Sequence, residues 1–98
     1  MSLRPGFHPD AKREMREAAD FYDLERPGLG SEFLDAVEST MQRVIDHPES
    51  APIALDPVRK CKVVRFPYSV VYALRDGRVF VSAVAHTSRR PFYWQDRL

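Results

Sequence analysis

The chain has 98 residues, 44% of them hydrophobic and 30% charged, which is enough for one domain (residues 1–98) with a single core and excludes both a two-domain enzyme and a disordered polymer. A single cysteine excludes an intrachain disulfide and a thiolate-rich metal site, and no apolar run approaches the ~20 residues of a membrane span. The net charge of +1 hides an asymmetry, because residues 1–50 carry 6 Lys/Arg against 11 Asp/Glu while residues 51–98 carry 9 against 3.

In chain order, Leu3 to Phe7 reads as a short strand at a sheet edge. Residues 1–10 lack the apolar region of a signal peptide, so a cytoplasmic location is expected. A helix is predicted over 9–25. Pro9 suits its first turn, Asp10 and Glu14 lie where carboxylates favour the helix dipole, and Ala11, Met15, Ala18 and Tyr22 share one face. Arg26-Pro27-Gly28-Leu29-Gly30 breaks it. A second helix is predicted over 31–47, with Ser31 as N-cap and Phe33, Leu34, Val37, Met41, Val44 and Ile45 in period until His47-Pro48. The apolar stripes read as core and the helical carboxylates as a solvated face.

Pro48, Pro52 and Pro57 mark an extended connector. Near residue 58 the period changes from 3.6 to 2, predicting strands over 59–66, 68–75 and 78–86. Asp76-Gly77 is the signature of a two-residue type I′ hairpin. It sets Leu74 opposite Val79, Tyr72 opposite Val81 and Val70 opposite Ala83, with Phe80, Ser82, Val84 and His86 on the other face. The fold class is therefore α+β: an N-terminal helical hairpin packed on a three- to four-stranded antiparallel sheet.

The candidate chemistry gathers near the end of the chain. His8, His47 and His86 lack zinc-ligand spacing, the four glycines form no phosphate loop, and Cys61 between Lys60 and Lys62 reads as a small hydrophobe. No metal or cofactor is expected. From Thr87 to Leu98, arginines alternate with aromatics. Phe92 and Trp94 read as packing, with Arg97 pairing an acidic helix residue, while Arg89, Arg90 and Tyr93 suit either packing or a nucleic acid. One constellation remains: Arg65, His86, Arg89 and Tyr93, with Arg90. These groups suit proton transfer and phosphate stabilisation in metal-free RNA cleavage, where the ribose 2′-OH is the nucleophile. In the alternative, His86 caps a strand and the arginines are solvated or paired.

The helical hairpin, the Pro-rich connector, Phe66-Pro67-Tyr68-x-Val70-x-Tyr72 and the ending Ala83-x-x-His86-x-x-Arg89-x-Pro91-x-Tyr93-Trp94-x-x-Arg97 together resemble the RelE/ParE superfamily of bacterial toxins, in the branch called plasmid stabilisation proteins. The resemblance covers nearly the whole chain. It implies a cytosolic toxin of a type II toxin-antitoxin pair, silenced by a cognate antitoxin. Its two branches imply different targets: the ribosome and its mRNA for RelE-like interferases, DNA gyrase for ParE-like members. Many members carry an Arg directly after a strand tyrosine, whereas Ser69 follows Tyr68 and Ala73 follows Tyr72. Arg65 is the nearest substitute, and the incomplete set leans towards gyrase. A non-toxic binding module on the same fold is the third reading.

Overall fold

A computed structural model describes residues 5–98 of the chain. Its elements run β1 (Gly6–Phe7), α1 (Pro9–Glu25), α2 (Leu29–Asp46), β2 (Ile53–Leu55), β3 (Val58–Lys62), β4 (Tyr68–Arg75) and β5 (Arg78–His86), followed by a 3₁₀ turn, Gln95–Arg97. Of the expected N-terminal strand, Gly6–Phe7 is present and residues 3 and 4 lie outside the described residues. Among the described residues no helix is long and apolar enough to cross a membrane.

Helix α1 has the predicted bounds. Its N-cap is His8, whose Nδ1 accepts the Asp10 N–H at 3.0 Å. Helix α2 begins at Leu29, two residues before the expected start, and Ser31 is not its cap. Gly28, at φ 91°, turns the chain, and Asp23 of α1 reaches across so that its Oδ1 accepts the Gly30 N–H at 2.8 Å. The carboxylate of the preceding helix thus does the work assigned to Ser31. The helices meet closely here. A Cβ built on Gly30 falls 2.3 Å from the Ala19 carbonyl oxygen, so only glycine fits without displacing backbone.

The sheet has five strands in the order β1-β5-β4-β3-β2, with β1 parallel to β5 and the other pairs antiparallel, rather than three or four antiparallel strands. The extra strand β2 lies inside the expected connector, at a sheet edge where flanking prolines remove no central hydrogen bond. Strand β3 stops at Lys62 instead of Phe66 because Arg65 takes a left-handed φ of 75°, and no glycine marks that turn in the sequence.

The β4–β5 hairpin has the predicted bounds and turn, with Arg75 paired to Arg78 and φ values of 50° and 74° at Asp76 and Gly77. Leu74 faces Val79 and Tyr72 faces Val81 as expected. The register then slips: Val71 pairs with Ala83 and Val70 with Val84, so Ser82 is an extra residue on β5 and the expected Val70–Ala83 pair does not form. A bulge of this kind reverses the faces of everything beyond it. Val84 and His86 consequently join Val79 and Val81 on the helical side, while Ala83 and Ala85 turn to the opposite side.

Each face has its own apolar cluster. Under the helices, Ala11, Ala18, Phe33, Val37, Met41 and Val44 pack against Val70, Tyr72, Val79, Val81 and Val84. On the far face Val58, Val71, Ala83 and Ala85 pack around Trp94 of the C-terminal tail. Phe92, expected to pack as well, is 44% exposed and touches Trp94 only by a ring edge, with centroids 5.8 Å apart.

Candidate functional site

Among the described residues, strand β1 pairs with β5 only at Phe80 and Val81. Beyond Val81 the edge of β5 is covered by side chains instead of a strand. The Val84 N–H donates to Glu14 Oε1 at 3.1 Å, and the Ser82 carbonyl accepts from Arg97 Nη1 at 3.2 Å. Glu14 and Arg97 bind each other as a fork, Nη1 to Oε1 at 2.9 Å and Nη2 to Oε2 at 3.1 Å, with side chains only 8% and 12% exposed. The Tyr93 hydroxyl donates to Glu14 Oε2 at 2.8 Å. One helical carboxylate therefore ties the tail to the sheet edge. The expected pairing of Arg97 with an acidic helix residue is present. The reading of the helical carboxylates as a solvated face fails at Glu14, because the face that buries Ala11 and Ala18 buries Glu14 between them.

Arg89, 51% exposed, lies over the Tyr93 ring at 3.8 Å, with Nη1 3.9 Å from Glu14 Oε2. Arg97 stands 5.1 Å from the same ring. Burial, together with the hydrogen bond to Glu14, pushes the Tyr93 phenol well above the ordinary tyrosine range. The phenol stays protonated and engaged. The sequence set Glu14 apart only as a carboxylate near the start of the helix, beside Asp10, and not as a buried one. The only signal of burial was its place one residue before Met15 on an apolar stripe.

His86 stands apart from this clasp. The bulge puts it on the helical face, opposite Tyr68, with ring centroids 5.0 Å apart, and not on the outer face the regular register implied. Its Nδ1 accepts the Ser88 N–H at 2.9 Å and lies 2.7 Å from Ser88 Oγ. Arg65 lies in the β3–β4 turn rather than on a strand. It donates to Glu32 Oε1 at 3.0 Å and leans over the Phe66 ring at 5.7 Å. Hydrogen bonds from Arg65 and then Arg26 hold the Glu32 carboxyl below the usual range. Of the four candidate residues, the structure brings Arg89 and Tyr93 together on Glu14, turns His86 back onto Ser88, and holds Arg65 on α2. Among the described residues no three His, Cys, Asp or Glu side chains gather as a metal site.

A family model described as the ParE toxin of type II toxin-antitoxin system, parDE, matches residues 6–91. The matched stretch contains Arg65, His86 and Arg89 and stops before Tyr93, Trp94 and Arg97. No curated protein matches. Among solved structures, a chain from the chromosomal ParDE TA system from P. aeruginosa aligns with a TM-score of 0.64 and 14% identity, covering 87% of this chain and 96% of that one. At that identity the likeness is one of fold.

Proposed function

The chain belongs to the ParE toxin family of type II toxin-antitoxin systems, and from that premise we propose that its target is DNA gyrase, which it inhibits by surface contact and not by cutting RNA. Its role is that of the toxin in such a pair, with a cognate antitoxin as partner. The observation that carries the choice of target is the dispersal of the groups RNA cleavage would need. The Tyr93 hydroxyl is committed to Glu14, His86 Nδ1 to Ser88, and Arg65 to Glu32. General acid–base work needs a proton donor and an acceptor within hydrogen-bond reach of one reacting group, and these side chains answer to three different neighbours. A protein that acts by docking needs no such assembly.

The test is to induce the chain in a bacterial host and examine chromosomes and transcripts within minutes. Chromosome breakage with intact mRNA, undiminished by H86A or R89A, is the expected outcome. Cut transcripts that disappear in either variant would replace this reading with RelE-like interferase activity. Unimpaired growth would point to the non-toxic module.

A further inference from the structure

The last turn of α2, the segment after it, β3 and β4 enclose a cavity of about 300 Å³, at the small end of ligand pockets. Its floor is apolar, formed by Val44, Ala51, Cys61 and the buried Tyr72 ring, whose hydroxyl already donates to the Pro48 carbonyl at 2.7 Å. Its rim is cationic. Arg43, His47 and Lys62 are all exposed there, and no Asp or Glu lines the cavity. Arg43 spends one N–H on the Lys62 carbonyl at 3.0 Å and keeps the rest of its fork. Among the described residues neither the Lys62 ammonium nor the His47 imidazole has a partner. Arg43 has a local reason to be where it is, since a cation in the last turn of α2 complements the helix dipole. That reason does not extend to Lys62, which arrives from β3.

We infer that this cavity is a socket for an acidic peptide segment, one apolar side chain seated on the floor and flanking carboxylates meeting Arg43 and Lys62. A bare inorganic anion would leave the apolar floor uncovered. A wholly apolar segment would strip water from the two cations, Arg43 and Lys62, and give nothing back. An acidic segment with one apolar anchor satisfies both halves of the site. The inference rests on the toxin reading for one point, the chain that brings the segment, which is the cognate antitoxin.

The experiment uses the chain with the product of the neighbouring antitoxin gene. R43E/K62E should weaken the complex at least tenfold, whereas K12E/K60E, the same charge change at exposed lysines outside the socket, should leave it within twofold. K62E alone, which removes no contact within the chain, should lose several-fold and guards against misfolding of the double variant. Cys61 is the only cysteine and gives a second readout: its alkylation by iodoacetamide, followed by mass spectrometry, should slow at least tenfold in the wild-type complex. A complex that tolerates R43E/K62E, loses as much with K12E/K60E, or leaves Cys61 as reactive as in the free chain overturns the socket alone. No complex with the wild-type chain overturns the toxin reading and the socket together.

Discussion

The two faces of the sheet are closed by different physics. On the helical face, two amphipathic helices lay aliphatic and aromatic side chains over the strands, with Phe33 fully buried against the rings of Tyr22, Phe66 and Tyr68. On the other face a short tail covers a small cluster around Trp94 and is fastened by polar bonds converging on Glu14. The first closure is non-directional and scales with area; the second depends on geometry and on every partner being present. The difference predicts where the molecule tolerates change. An aliphatic swap under the helices should be absorbed, while the tail should hold or release as a unit.

The largest effect belongs to the helical face. Phe33→Ala should lower the unfolding free energy by about 3–5 kcal/mol, the range for deleting a large buried aromatic, measured by urea or thermal unfolding. A loss below about 2 kcal/mol would mean the helical face can collapse around the gap and is less closely packed than its ring contacts indicate.

Next comes the clasp. Glu14→Ala strands Arg97 and leaves the Tyr93 hydroxyl and the Val84 N–H without their acceptor, and it should cost about 3 kcal/mol, the lower part of the range for breaking a buried pair. Adding Arg97→Ala should restore part of that loss because the stranded charge goes with it; strictly additive losses in the double-mutant cycle would show that the two side chains act independently. Deleting residues 91–98 should likewise lower the melting temperature, and an unchanged value would reduce the tail to a loose terminus.

A smaller effect is readable in alkali. Because the folded pKa of Tyr93 is raised, the folded state keeps a proton that the unfolded chain releases above the ordinary tyrosine value of about 10. Stability from this group is fully present below that pH and is lost as pH rises towards the folded value. Tyr22, Tyr68 and Tyr72 are raised by burial as well, so Tyr93→Phe should make the alkaline fall of stability shallower without abolishing it. An unchanged slope would detach Tyr93 from the clasp.

The smallest effect lies at the bulge. Ser82 is fully buried and its hydroxyl has no hydrogen-bond partner among the described residues. Ser82→Ala should leave stability unchanged or raise it by up to about 1 kcal/mol, since an orphaned buried hydroxyl is a liability. A loss above 1 kcal/mol would mean that this hydroxyl holds the bulge, and with it the orientation of His86.

The sequence by itself determined the helical hairpin, the two long strands and the Asp76-Gly77 turn, because each rests on local rules: a 3.6-residue period, a two-residue period, and a turn that requires positive φ. It also supplied the family resemblance and the cationic C-terminal half. Tertiary structure alone decided the rest. The early start of α2 came from Asp23 of another helix, the end of β3 from a left-handed Arg65 that no glycine announced, and the side on which His86 stands from one extra residue at Ser82. The burial of Glu14 was likewise illegible, since a carboxylate on a helix looks the same in sequence whether it faces water or an arginine brought from 83 positions away. Local periodicity reports which face of an element is apolar; only the assembled molecule reports which polar group lies where two faces and a chain end converge.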